Sequence, residues 1–176
     1  LTYLDVSHNT ELNDEAVVQQ LCAMLQRNDT LTAIDLVGGG IEAALLLSKR
    51  SEARLGALRA GMVVVNTNPL YTERELEHQL NDANVRVMVV QANVAQTAAA
   101  VLPRTDVETV VVTEIADLHP QPKRSLINFL VKHVKRMVPA FFIPGALKLN
   151  AVLKAGAKTP YRAAILNRDD LAMLQY

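Results

Sequence analysis

Three apolar runs separated by helical patterns most constrain the fold of this chain. The runs are residues 62–66 (MVVVN), 85–90 (VRVMVV) and 107–113 (VETVVVT), and all of them are rich in valine. Continuous apolar runs of this length are typical of strands that are covered on both faces. Because helical segments separate the runs, the pattern predicts an α/β fold in which a parallel sheet is joined by right-handed crossover helices.

The segment between the first two runs carries the signals of a turn and of a helix start. Asn68 followed by Pro69 favours a turn. Thr72 and Glu75 have the spacing of a capping box, in which each residue satisfies a backbone N–H of the first helical turn. Before the first strand, Gly61 predicts a left-handed C-cap that ends the preceding helix.

The N-terminal part contains an internal sequence repeat. Residues 1–6 (LTYLDV) are repeated as residues 31–36 (LTAIDL), and the segment between them has helical periodicity with Asn13 or Asp14 as its cap. The pattern resembles a leucine-rich repeat of the ribonuclease-inhibitor-like class, in which a strand, an asparagine turn and a helix are followed by the next strand. An amphipathic helix between two unrelated strands is the alternative.

Net charge also divides the chain. Residues 1–54 hold eight acidic and four basic residues, a net charge of 4 − 8 = −4, whereas residues 55–176 hold ten and fourteen, 14 − 10 = +4. Such a shift favours a boundary, and the three glycines at 38–40 supply a flexible break. We therefore predict a leucine-rich-repeat-like segment at 1–36, a junction at 37–54, and the α/β part at 55–176.

Composition excludes several classes of protein. No run approaches the roughly 18 apolar residues of a membrane-spanning helix, and no secretory leader opens the sequence, so we expect a cytoplasmic protein.

The single cysteine, Cys22, has no partner for an internal disulfide. The histidines are scattered, which gives no metal site. With no Trp, three Phe and four Tyr, the chain lacks stacking aromatics, and we expect no nucleic-acid partner.

Several polar motifs in the α/β part closely resemble those of bacterial AMP-forming long-chain fatty-acid–CoA ligases. The resemblance is strongest over residues 56–90 and continues to Tyr176. An unrelated α/β protein would share the hydrophobic periodicity, but it would not share these runs of polar residues with the ligase family. The segments that carry the resemblance are RAG at 59–61, NPLY at 68–71, ELEHQL at 75–80, VKHVKRMVP at 131–139 and RDDLAMLQY at 168–176.

The resemblance implies that residues 55–176 form an incomplete N-terminal domain of such a ligase, with only part of its parallel sheet. The family couples a fatty acid to CoA through an acyl-adenylate and releases AMP and pyrophosphate. ATP, Mg²⁺ and CoA are therefore the implied cofactors of the full-length family, and fatty acid and CoA are the implied partners.

One residue marks where the ATP site of that family would begin. The family strand that matches residues 171–176 leads into a glycine- and threonine-rich loop around the phosphates of ATP, and Tyr176 matches the first residue of that loop. Because the other functional positions of the family lie beyond it, we expect no catalytic residue, no metal site and no bound cofactor in the 176-residue chain alone. We also expect this truncated chain to be inactive.

The loop after the first strand is a weaker candidate site. Asn68, Pro69 and Tyr71 belong to the resemblance, and we consider them for a loop that shapes the substrate site. A purely structural role as a turn and helix entry is the alternative.

Residues 123–138 (KRSLINFLVKHVKRMV) predict a basic amphipathic helix that Pro139 ends. Asn128, Lys132, Lys135 and Arg136 gather on the face opposite the apolar one. The three cations are candidates for contact with an anionic membrane, which would make the protein peripheral on the cytoplasmic membrane face. The alternative is a helix packed on its own domain with a solvated basic face. The predicted apolar face comprises Leu126, Ile127, Leu130, Val131, Val134, Met137 and Val138.

A second class of function stays open from the sequence. The chain could be a non-catalytic interaction protein in which residues 1–54 bind a protein partner and the ligase-like part serves as a scaffold. A fused gene or a chimera would explain two unrelated patterns in one chain.

Overall fold

The computed structural model describes residues 33–37, with their backbone alone, and residues 56–158 and 164–176. Residues 1–32 lie outside the described residues, so the leucine-rich-repeat-like segment stays a prediction for them.

The described chain forms a six-stranded sheet in which every strand pair is parallel. The strand order is β5-β4-β3-β1-β2-β6. This arrangement confirms the predicted α/β fold with a parallel sheet. The strands are β1 (Ala33–Val37), β2 (Val63–Thr67), β3 (Val87–Gln91), β4 (Thr109–Thr113), β5 (Leu147–Lys148) and β6 (Met173–Gln175).

The first strand departs from the predicted organisation. β1 covers most of residues 31–36, the second copy of the repeated segment. It pairs on one side with β2 and on the other with β3. Its place in the middle of the sheet does not support a leucine-rich repeat that includes these residues. The sequence could not reveal this pairing, because the partners of a strand in a parallel sheet are set by contacts distant in the chain.

Helices cover both faces of the sheet. Helices α1 (Glu73–Asp82) and α2 (Ala95–Val101) cover one face, and α4 (Leu149–Gly156) and helical residues 56–59 cover the other. Alternate residues of β3 explain the arrangement, since Met88 and Val90 pack towards α1 and α2 while Val87 and Val89 pack towards α4.

The direction of each crossover decides which face its helix covers. The chain steps in one direction from β2 to β3 and β4 through α1 and α2, and in the opposite direction from β5 to β6 through α4. Right-handed crossovers of opposite direction place their helices on opposite faces. The chain leaves β1 and β3 in opposite directions, which creates a switch point where α/β proteins commonly bind ligands at the carboxyl ends of the strands.

Two local signals are confirmed. Thr72 caps α1, where its hydroxyl accepts from the Glu75 N–H at 3.4 Å and the Glu75 carboxylate accepts from the Thr72 N–H at 2.8 Å. Gly61 has φ +79, and a Cβ there would lie 2.8 Å from the Ala164 Cβ. A side chain at this position would meet both backbone strain and a steric clash.

The helix predicted over residues 123–138 is shorter than expected. Helix α3 (Lys123–Phe129) continues as a π-helical turn at Leu130–Val134. It ends there because Arg136 adopts a left-handed conformation with φ 50, and the Met137 N–H donates to the Val131 carbonyl at 3.1 Å. The left-handed residue and this closing hydrogen bond end the helix before Pro139 is reached.

Candidate functional site at the carboxyl edge of the sheet

The carboxyl ends of β2 and β6 bring together the two regions that the sequence singles out near the expected ATP loop. Asn66 lies opposite Gln175 in the strand register, so the turn after β2 and Tyr176 after β6 lie at the same edge. The Asn66 amide donates to Gln175 Oε1 at 3.2 Å and to Met173 Sδ at 3.3 Å. Side chains therefore reinforce the backbone pairing where β6 ends.

Helix α1 is tied to the same edge by a buried amide. Gln79 is 1% exposed, and its Nε2 donates to the Asn66 carbonyl at 3.1 Å. Two oxygens at this position, Asn66 Oδ1 and Gln79 Oε1, are buried without a hydrogen-bond partner. The edge thus offers unused acceptors next to the start of the expected phosphate loop.

The Asn68 turn has a clear structural role. Asn68 Oδ1 accepts from the Leu70 N–H at 3.0 Å, and the Asn68 carbonyl accepts from the Tyr71 N–H at 3.1 Å. Pro69 occupies the turn, and Tyr71 packs partly buried against the α1–α2 core. These contacts explain how the chain turns from β2 into α1, while a direct role in substrate binding stays a prediction.

Tyr176 is held by a carboxylate of α1. Its hydroxyl donates to Asp82 Oδ2. This hydrogen bond, followed by desolvation and the nearby negative charge, raises the pKa of Tyr176 from 10.0 to about 12. The phenol therefore remains protonated at neutral pH and fixes the end of β6 against the C-terminal turn of α1.

Asp82 was not among the residues that the sequence predicts for this site. It is distant from Tyr176 in the chain, and only the pairing of β6 with β2 brings the two together. Asn66 lies within residues 56–90, where the family resemblance is strongest, but its contact with Gln175 depends on the same pairing. No local sequence signal could have identified this network.

The described residues do not fit the Mg²⁺ that the family resemblance implies. Within the part of the chain that the structure describes, no three His, Cys, Asp or Glu side chains form a group that could hold a metal ion.

The predicted membrane-surface residues lie elsewhere. Lys132 lines a cleft beside β4, and β4 is three strand positions from β2, about 14 Å at the usual strand spacing of about 4.8 Å. Lys132, Lys135 and Arg136 are all exposed. The structure therefore separates the basic cluster from the β2–β6 edge.

Helix α3 contacts the domain through a residue of its polar face. Asn128, predicted on the face opposite the apolar one, accepts from the Ala116 N–H at 2.9 Å and donates to Asp117 Oδ1 at 3.4 Å. This tertiary contact turns much of the apolar stripe outwards. The most exposed large apolar residues of this segment are Leu126 (61%), Phe129 (57%) and Val134 (63%). Among the described helices, none is long and apolar enough to cross a membrane.

Sequence comparison finds a matching family and several relatives. Residues 49–176 match the family described as AMP-binding enzyme. A long-chain-fatty-acid–CoA ligase from Escherichia coli is 45% identical over 124 residues, which are 70% of this chain and 22% of the relative. The corresponding ligase from Bacillus subtilis is 42% identical over 71 residues, which are 40% of this chain and 13% of the relative.

Solved structures share the fold at lower identity. An anthranilate CoA ligase in complex with anthranoyl-AMP has a TM-score of 0.63 and 17% identity, with 92% of this chain and 25% of that chain covered. A long-chain-fatty-acid-CoA ligase from Archaeoglobus fulgidus has a TM-score of 0.60 and 19% identity, with 92% and 26% covered.

The chain spans 22% of the length of the Escherichia coli ligase. On the match of residues 49–176, it belongs to the AMP-binding enzyme family.

Proposed function

We propose that this chain provides the N-terminal part of a long-chain fatty-acid–CoA ligase. In the complete reaction, ATP and a fatty acid form an acyl-adenylate and pyrophosphate, and CoA then displaces AMP to give acyl-CoA. The part of the domain described here would position the strand that leads into the phosphate-binding loop. It would supply neither the metal ligands nor the reacting groups.

The position of β6 carries this proposal. It pairs with β2 in parallel, so that Tyr176 emerges at the carboxyl edge of the sheet beside the Asn68 turn. Ligands of α/β proteins bind beyond this edge, where loops from adjacent strands converge. The 45% identity to the Escherichia coli ligase supports a long-chain fatty acid as the substrate.

Growth of a bacterial strain that lacks its own long-chain ligase tests the proposal. Residues 49–176 would replace the matching segment of the Escherichia coli relative, and the strain would be grown on oleate as its sole carbon source. We expect growth with the hybrid enzyme and none with a relative that lacks the segment. Failure of a hybrid that is folded and expressed at the level of the parent would count against the proposal.

The 176-residue chain alone is a separate case. We expect no fatty-acid-dependent ATP–pyrophosphate exchange from it, because it spans only 22% of the relative's length. Exchange above that of a heat-denatured sample would show that the chain holds a complete adenylation site, contrary to this expectation.

A second proposed activity is attachment of α3 and its π-helical turn to an anionic membrane surface. The observation that favours it is the exposed apolar surface of this segment, where Leu126, Phe129 and Val134 are each more than half exposed next to exposed cations. Apolar side chains could enter the headgroup region while Lys132, Lys135 and Arg136 contact anionic lipids. This role would make the protein peripheral on the cytoplasmic membrane face.

Co-sedimentation with phosphatidylglycerol-containing vesicles tests this attachment. We expect the K132E/K135E/R136E variant to lose most of the binding. A control with the same charge change, K154E/K158E/R168E, alters exposed cations outside the helix and should keep it. Equal binding by both variants and the parent would argue against a role for this surface.

Binding of a protein partner by residues 1–54 stays a prediction. Apart from the backbone of β1, these residues lie outside the described ones.

A further inference from the structure

Asp82 contacts the chain at the point where the pairing of β6 ends. The register of β6 with β2 runs as far as Gln175, which lies opposite Asn66. Tyr176 follows that pair, and its hydroxyl donates to Asp82 Oδ2. Because Tyr176 is 45% exposed, packing alone does not fix its position. The hydrogen bond to Asp82 therefore constrains the residue from which the expected phosphate loop starts.

The strand that carries Tyr176 has few contacts of its own. β6 is three residues long, and among the described strands it pairs with β2 alone. Leu171, before the strand, and Met173, within it, are both exposed. A short edge strand that buries little apolar surface opens easily. The position of its end thus depends on individual side-chain contacts.

Helix α1, which supplies Asp82, is firmly packed by contrast. Leu76 and Leu80 are buried in the core, and Gln79 donates to the Asn66 carbonyl at 3.1 Å. Asp82 follows Gln79 by three residues, so the two side chains lie on the same side of the helix. One side of α1 therefore holds β2 through Gln79 and the end of β6 through Asp82.

The carboxylate of Asp82 is well suited to this contact. It forms no ion pair with any of the described residues. A hydrogen bond that a carboxylate accepts is stronger than one between neutral groups. The same hydrogen bond is the main reason why the pKa of Tyr176 is raised to about 12, so the phenol keeps its donated proton at neutral pH.

We propose that Asp82 is a positioning residue for the ATP site, because its hold on the Tyr176 hydroxyl sets where the phosphate-binding loop leaves β6. This inference rests on the proposed function, since it concerns the loop of the complete ligase. Backbone N–H groups bind phosphate when they point at its oxygens, and a displacement of about 1 Å can lower a rate by about a hundredfold. Asp82 acts through Tyr176 and not on a reactant, so its loss should impair the use of ATP selectively.

Steady-state kinetics of the hybrid ligase that contains residues 49–176 tests this role. Asp82→Ala removes the acceptor and Tyr176→Phe removes the donor, and each should raise KM for ATP about threefold to tenfold. KM for oleate should stay within about twofold of that of the parent hybrid. The double variant D82A/Y176F should be no worse than either single variant, because all three lack the same hydrogen bond. Asp106→Asn, at an exposed aspartate elsewhere, should match the parent hybrid.

The kinetic outcomes distinguish this inference from the proposed function. An unchanged KM for ATP in an active Asp82→Ala hybrid would overturn the positioning role while leaving the ligase assignment intact. Equal increases in KM for ATP and for oleate would show general damage to the domain and would also overturn it. A folded parent hybrid without activity would contradict the proposed function itself, and with it the assignment of an ATP site.

Hydrogen exchange of the 176-residue chain gives a readout that does not depend on activity. In Asp82→Ala, the amides of residues 173–176 should exchange faster than in the parent, because the end of β6 loses its contact with α1. The amides of β3, in the middle of the sheet, should exchange at the parental rate. Unchanged exchange at residues 173–176 would contradict the proposal whether or not the hybrid is active.

Discussion

At the scale of single residues, the hydrogen bond between Tyr176 and Asp82 makes the clearest prediction. Replacing Asp82 with Asn removes the carboxylate that accepts from the phenol, so the pKa of Tyr176 should fall from about 12 towards 10.0. Absorbance of tyrosinate during a base titration measures this change. Asp106→Asn, at an exposed aspartate elsewhere, should leave the titration unaltered. Identical curves for Asp82→Asn and the parent would contradict the contact.

The same contact sets a direction for the dependence of stability on pH. The folded-state pKa of Tyr176 is raised, so its contribution to the free energy of unfolding is fully present below about pH 10. That contribution is lost as the pH rises through about 12. Urea unfolding at increasing alkaline pH should show this loss in the parent and a smaller one in Asp82→Asn.

Replacing each of two leucines in neighbouring parts of the chain with alanine should change the free energy of unfolding by different amounts. Leu76 is 2% exposed in the core under α1, whereas Leu70 is 86% exposed in the turn before it. Leu76→Ala should lower the free energy of unfolding by about 2–5 kcal/mol, because it leaves a cavity in a packed core. Leu70→Ala should change it by less than about 0.5 kcal/mol. Similar losses for the two variants in urea unfolding would contradict the described packing.

At the scale of elements, the capping box stabilises the start of α1. Thr72→Ala removes the hydroxyl that accepts from the Glu75 N–H and should cost about 1 kcal/mol of unfolding free energy. Thr72→Ser keeps the hydroxyl and should retain most of that stability. Thermal unfolding of the two variants measures the difference, and equal losses would show that the cap contributes little.

Acid should weaken the same cap. The backbone N–H of Thr72, followed by its hydroxyl, lowers the pKa of Glu75 below 4.5. A lowered folded-state pKa contributes stability that is present above about pH 4.5 and is lost as the pH falls through the folded-state value.

The elements also show which features a sequence can predict. The capping box, the Asn68 turn and the three valine-rich strands depend on neighbouring residues, and all were predictable. The orientation of α3 was not, because a single tertiary contact of Asn128 with Ala116 and Asp117 turns its apolar stripe outwards. Periodicity identifies an apolar face but does not say what covers that face.

At the scale of the whole molecule, strand order was the least predictable property. The sequence predicts parallel strands and crossovers, but not that β1 lies between β3 and β2 or that β6 returns to pair with β2. The Tyr176–Asp82 contact depends on this order. The family resemblance gives Tyr176 as a candidate residue, whereas its carboxylate partner becomes visible only in the folded chain.

The central claim is that residues 49–176 can serve as the matching segment of a long-chain fatty-acid–CoA ligase. The most direct measurement is oleate-dependent acyl-CoA formation by the purified Escherichia coli relative in which these residues replace its own segment. We predict a kcat/KM within about tenfold of the parent, a loss of about 1.4 kcal/mol or less in transition-state stabilisation. A hybrid that unfolds cooperatively near the parent's melting temperature but forms no oleoyl-CoA would contradict the claim.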